Sequence, residues 1–192
     1  MIDVVFPGGN PSAFLAAARR LGFQDIAAVG GQREDGVVPA VLCSPKDVMK
    51  SRRAGALVLV MHSAEDRFAI EKARPDLIFG LEQQPKDFMH SRNSGLDQVL
   101  CTLAAKNQVA VGFDFGSVLR ADDVERSRLM GRMMQNIRMC RKYRVAMVLG
   151  SFARSPGEMR ACHDLMSFGI SLGMHPQEAK QSLKYLESRG RG

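Results

Sequence analysis

Two stretches of this chain bring together residues that could hold an anion. In residues 87–101, DFMHSRNSGLDQVLC, a polar leader carrying Asp87, His90 and Arg92 runs through an Asn-Ser-Gly turn into an apolar helix. Asn93 or Ser94 can cap that helix, and Asp97, three residues after Ser94, closes a capping box. A helix start offers unpaired N–H groups and a positive dipole end. With His90 and Arg92 beside it, that start suits an anion, most simply a phosphate. A well-capped surface helix with a charged leader is the plainer alternative. The second stretch, residues 150–157 (GSFARSPG), follows an apolar run. Its glycine admits close backbone approach, and the Ser155-Pro156-Gly157-Glu158 capping box opens a helix expected to run through Met159 and Leu165. Arg154 and Arg160 flank it, which makes it the stronger phosphate candidate.

Hydrolytic or metal chemistry finds less support. His62, Glu82 and Asp114 each follow an apolar run, but no H-x-H or H-E-x-x-H spacing joins any of the four histidines. No serine or cysteine sits in a nucleophile elbow. Cys43, Cys101, Cys140 and Cys162 form no C-x-x-C pair, so buried reduced thiols are expected, not zinc or disulfides. No metal site is assigned. A small barrel metal-dependent phosphoesterase, using His62, His90 and Asp114, is the competing function.

The elements that must position these residues follow a regular rhythm. Apolar runs at residues 2–6, 25–29, 37–43, 56–61, 76–79, 108–113 and 145–149 read as seven strands. Helices begin at Asn10-Pro11, at Ser44-Pro45, between Ser63 and Asp66, after the Asn-Ser-Gly turn, at Asp122 and at His175-Pro176. The glycine-rich loop 30–36 lacks nucleotide-binding spacing and receives no cofactor role. The alternation predicts parallel βα units, hence a compact or incomplete TIM-like β/α barrel as one domain over 1–188 with a basic tail, 189–192. A doubly wound open sheet is the alternative. The expected helix 122–144 carries a buried stripe of Leu129, Met133, Ile137 and Cys140. Seven bases follow Glu125 on it with no further acid.

The chain holds 27 Lys and Arg against 20 Asp and Glu, a net charge of +7, which favours a polyanionic partner. The separate basic features at residues 46–53, Arg92, the long helix and 154–160 point to a large polyanion such as RNA. No apolar run approaches the ~18 residues of a membrane span. The first residues enter a strand directly, so a cytoplasmic protein without membrane association is expected.

Four motifs in order, DLIFG (76–80), K-D-x-x-H-x-R-x-S-G-L (86–96), GRMMQNIRMCRKY (131–143) and S-x-A-x-S-P-x-E-M-R (151–160), resemble the barrel subunit family of archaeal ribonuclease P. This is protein component 3, counterpart of the eukaryotic thirty-kilodalton subunit. Asp97 stands where an asparagine is expected, and the match weakens before residue 76. The resemblance implies a fold related to polymerase-and-histidinol-phosphatase hydrolases without their histidine metal motif. It implies 5′ maturation of precursor tRNA by a holoenzyme whose RNA subunit carries the catalytic Mg2+. This chain would be non-catalytic, binding the ribonuclease P RNA and pairing with protein component 2. Arg92, Arg154 and Arg160 would meet RNA phosphates, and Lys46 and Lys50, with Arg52 and Arg53, would add electrostatic reach. Asp87, His90, Ser94, Arg132 and Arg138 would have structural or partner-contact roles. With two tyrosines and no tryptophan, base stacking is expected to be minor.

Overall fold

Each strand is apolar on both faces, so neither face can be left in water; the solution is a parallel sheet filled inside and covered outside. The computed structural model, which describes residues 1–52 and 56–189, has seven such strands: β1 (Ile2–Val5), β2 (Asp25–Val29), β3 (Val37–Leu42), β4 (Leu57–Met61), β5 (Leu77–Phe79), β6 (Ala110–Asp114) and β7 (Met147–Gly150). They pair in sequence order, every pair parallel, with registers such as Val4 beside Ala27, Leu59 beside Leu77 and Gly112 beside Val148. The period-2 pleat splits the apolar residues into two cores. Val4, Ala27, Ala40, Leu57, Leu59, Leu77 and Phe79 point inward and fill the barrel. Val5, Ile26, Val58, Val60, Ile78, Val111 and Leu149 point outward under the helices.

Those helices are α1 (Pro11–Arg20), α2 (Val48–Arg52), α3 (Asp66–Phe68, continued by a π-turn to Ala73), α4 (Gln98–Asn107), α5 (Phe115–Arg120), α6 (Asp123–Tyr143), α7 (Cys162–Ser171) and α8 (Pro176–Ser182). No helix crosses from β2 to β3. Loop 30–36 makes that connection alone, tied to α1 by the 3.2 Å Arg19–Asp35 ion pair.

Closure of the barrel is nearly complete, which excludes the open doubly wound sheet. Beyond one bridge between Val5 and Ala153, β1 and β7 share no ladder. The gap is filled by Asp3, whose carboxylate accepts from the Ser151 N–H (2.7 Å), the Ser151 hydroxyl (2.5 Å) and the Val4 N–H (2.9 Å). A side chain thus supplies the hydrogen bonds a neighbouring strand would have made. At the opposite end the C-terminal segment forms a floor. Ile2 N–H donates to the Leu183 carbonyl, Leu186 enters the interior core, and Arg189 donates to the Gln108 carbonyl at 2.9 Å. Arg189, expected in the tail, therefore belongs to the barrel; residues 190–192 lie outside the described residues.

Three expectations about helices need correction. The strand β6 runs straight into α5, a helix not anticipated, because Asp114 is both the last strand residue and the cap accepting from Ser117 N–H at 2.9 Å. The Ser155-Pro156 signature yields only a 3₁₀ turn, Pro156–Glu158; Met159 and Ala161 return to extended backbone and α7 starts at Cys162. The cap of α4 is Asp97, later than either Asn93 or Ser94.

Candidate RNA-binding surface

Between β5 and α4 the chain makes a long excursion that α6 holds by its side chains. Asp97, not Asn93 or Ser94, caps α4, accepting from Leu100 N–H at 2.7 Å. Gly95 explains the difference. Its φ of +79° turns the chain after Ser94, and a Cβ there would stand 2.2 Å from the Leu81 carbonyl oxygen. Leu96 is thereby buried before the helix begins, and Ser94 is buried too, with no partner for its hydroxyl among the described residues.

Two α6 residues make the clamp. Buried Arg132 donates through Nη1 to the carbonyls of Glu82 (2.9 Å) and Gln84 (2.6 Å), and through Nε to Asp87 Oδ1 (2.9 Å). Asn136 donates to the Ser94 carbonyl at 2.8 Å. Asp87 also accepts from Asn93 N–H at 2.9 Å, while the Asn93 amide donates to the Lys86 carbonyl. Those bonds, Asn93's first and then Arg132's, hold the Asp87 carboxyl below its ordinary range. Residues 87–93 thus close into a small loop that presents Phe88 (63% exposed), Met89 (91% exposed), His90 and Arg92 outward. Arg92 lies six residues before the helix start and crosses α6 instead, its guanidinium 3.2 Å from where a Cβ at Gly131 would stand.

The seven bases of the long helix and its end divide by role. Arg126 donates to the carbonyls of Val118 (3.1 Å) and Ala121 (2.7 Å), pinning α5 to α6. Arg141 grips Glu178 through two bonds (2.7 and 2.5 Å) and the Gly173 carbonyl, fastening α8. With Arg132, three are structural. Arg128, Arg138, Lys142 and Arg144 remain exposed. Elsewhere, Lys46 pairs with Glu65 at 3.2 Å, Lys50 is exposed, and Arg52 donates to the Arg74 carbonyl. Arg53 lies outside the described residues.

Buried carboxyls lie within β1, just after β5 and at the end of β6. Burial pushes the Asp3 carboxyl up to about 6 against the pull of Ser151. Asp114 is likewise raised by burial to about 6, with the Ser117 N–H and Arg120 opposing. Glu82 is 0% exposed, and among the described residues neither of its oxygens reaches a hydrogen-bond partner. Burial raises it to about 8, with the Asp114 charge adding and Arg132 subtracting. His62 is held by Asp66 on one nitrogen and by the Gln84 amide at 3.0 Å on the other. His90 is on the exposed loop, and among the described residues no three His, Cys, Asp or Glu side chains cluster as a metal ion requires. Arg154 is exposed at the strand ends, whereas Arg160 turns onto its own loop, donating to the carbonyls of Gly157 (3.1 Å) and Met159 (2.8 Å) with its guanidinium over Phe115.

Asn136 and the burial of Glu82 escaped sequence reasoning. For Asn136 a signal existed: it and Arg132 are four residues apart, flanking the Leu129–Met133–Ile137 stripe.

Taken together, these features define a nearly closed seven-stranded β/α barrel with a clamped loop and exposed arginines. The family model for RNase P subunit p30 matches residues 61–189, and the chain belongs to that family. It is 33% identical over 139 residues to ribonuclease P protein component 3 of Thermococcus kodakarensis, covering 71% of this chain and 60% of that protein. To the same component of Thermococcus gammatolerans it is 36% identical over 138 residues, covering 71% and 61%. The matched region thus spans about three fifths of those relatives' length. A chain in a cryo-EM structure of archaeal ribonuclease P with mature tRNA has the same fold, with a TM-score of 0.78 at 20% identity, covering 98% of this chain and 89% of that one. Aspergillus niger ochratoxinase aligns more distantly, with a TM-score of 0.52 at 16% identity over 88% of this chain and 40% of its own.

Proposed function

We propose that this chain is a non-catalytic protein subunit of ribonuclease P, supporting the catalytic RNA in 5′ maturation of precursor tRNA. The observation that carries the reading is the set of exposed arginines fixed on a rigid frame: Arg92 laid across α6, Arg128 and Arg138 on that helix, and Arg154 at the strand ends. Such side chains suit phosphates spaced along an RNA backbone better than one small anion. Lys46 and Lys50 extend the field. Arg160 braces its own loop. Catalytic Mg2+ belongs to the RNA subunit in this reading, and no step is assigned to the buried carboxyls of the barrel. Phe88 and Met89, held out by the Asp87–Arg132 clamp, give protein component 2 an apolar knob to bury.

The test is cleavage of labelled precursor tRNA at low Mg2+. One reaction holds the cognate RNA with component 2, a second adds this chain, and a third holds the chain alone. Stimulation that depends on the RNA is expected. Cleavage by the chain alone would overturn the reading in favour of a phosphoesterase.

A further inference from the structure

The barrel mouth holds an open cavity of about 550 Å³ whose floor is aromatic. Phe79, the last residue of β5, and Phe152, just beyond β7, pack 5.0 Å apart, with Phe6 seated over both at 6.2 and 6.5 Å. Phe152 adopts a φ of +46°, a left-handed conformation rare for a bulky side chain, and this turn carries its ring into the floor. Phe6 is the ring left partly open. Leu42 and Met61, ending β3 and β4, form the wall and are 40% and 42% exposed, which leaves an apolar face open beside the aromatic floor.

The rim is polar and asymmetric. Arg120 is held by Glu158 at 2.7 Å and Asp114 at 3.6 Å, while Arg154, whose backbone N–H also donates to Glu158, makes no ion pair through its guanidinium among the described residues. Gln83 and Asp114 offer donor and acceptor groups above the apolar floor. Among the described residues no histidine or cysteine lines the cavity.

On the reading of this chain as an RNA-binding subunit, we infer that the barrel mouth seats one unstacked nucleobase of a single-stranded RNA segment. The base lies between Phe6 and the Met61–Leu42 wall, and an adjacent phosphate meets Arg154. A flat ring with a polar edge matches an aromatic floor with hydrogen-bonding groups at one side. The cavity falls within the range of nucleotide-sized sites, and its open top leaves the rest of the strand outside. Thus one base is stacked although the surface as a whole has few aromatic residues.

The test uses the reconstituted particle of chain, RNA subunit, component 2 and precursor tRNA, irradiated at short wavelength, with crosslinked peptides mapped by mass spectrometry. Crosslinks to peptides carrying Phe6, Met61 or Phe152 are expected. Crosslinks confined to other peptides overturn the pocket while leaving the RNA-subunit reading standing; none anywhere removes both. A second measurement separates stacking from charge. Met61→Glu should weaken RNA affinity roughly five- to tenfold, whereas Ile170→Glu, the same charge change at a partly exposed site on α7, should stay within about twofold. Equal effects of the two substitutions would overturn the inference.

Discussion

Replacing Glu82 with Gln should make the protein more stable at alkaline pH and leave it nearly unchanged at pH 5. In the folded chain burial pushes this carboxyl, which has no hydrogen-bond partner among the described residues, up to about 8 from 4.5. A raised acid binds its proton more tightly when folded. Its favourable contribution is therefore complete below about 4.5 and is lost as pH rises to about 8. At ~1.4 kcal/mol per pH unit, the interval from 4.5 to about 8 amounts to about 5 kcal/mol of stability lost over that window. Gln keeps the shape and carries no titrating proton, so the variant should exceed the parent by about 3–5 kcal/mol at pH 8.5. Asp3 and Asp114, both near 6, act with the same sign, but they lower both proteins alike and mainly below pH 6. The difference between the two proteins above pH 6 isolates Glu82. Urea unfolding followed by circular dichroism at pH 5, 6, 7, 8 and 9 would measure it. Parallel stability curves from pH 6 to 9 would refute the reasoning, since Glu82 would then be reaching solvent or a partner as a charged group.

Three further predictions concern the clamp and the exposed bases. Arg132→Met strands the Glu82 and Gln84 carbonyls and should cost about 3 kcal/mol, with amide exchange accelerating selectively over residues 82–97. Gly95→Ala forces a Cβ against the Leu81 carbonyl at a left-handed backbone position. It should cost roughly 2–4 kcal/mol in urea unfolding, and a loss under 1 kcal/mol would mean the turn is not built as described. Arg92→Ala and Arg154→Ala should each lower the slope of log affinity against log salt by roughly 0.7–0.9; an unchanged slope removes that residue from the phosphate contacts.

How much of this was legible beforehand depended on whether the deciding contact was local. The seven strands were readable because a parallel sheet covered on both sides demands continuous apolar runs. The long helix was readable because Asp122 and Glu125 mark its start and Leu129, Met133 and Ile137 its buried side. The cap of α4 was not, since Ser94 and Asp97 satisfy the same short-range rule. What separates them is Leu96, which must be buried, and Gly95, whose turn brings it there. At Ser155 the same local rule produced a single turn, because Met159 is buried from an extended backbone.

Arginine shows the limit most clearly. Arg126, Arg132, Arg141 and Arg160 bind carbonyls or carboxylates of their own fold, while Arg92, Arg128, Arg138 and Arg154 face solvent, and nothing in residue type separates the two groups. A net charge of +7 therefore overstates the surface available to a polyanion only if acids are left behind when bases turn inward. For three of the pairs they are not: Asp87, Glu178 and Glu158 are engaged by Arg132, Arg141 and Arg120 in turn, while Arg160 meets only carbonyls. Each such pair removes both signs together, and most of the excess positive charge stays with the exposed residues. Those residues stand on elements that the internal pairs hold in place, so the arginines bonded within the fold fix the geometry of the ones that face solvent.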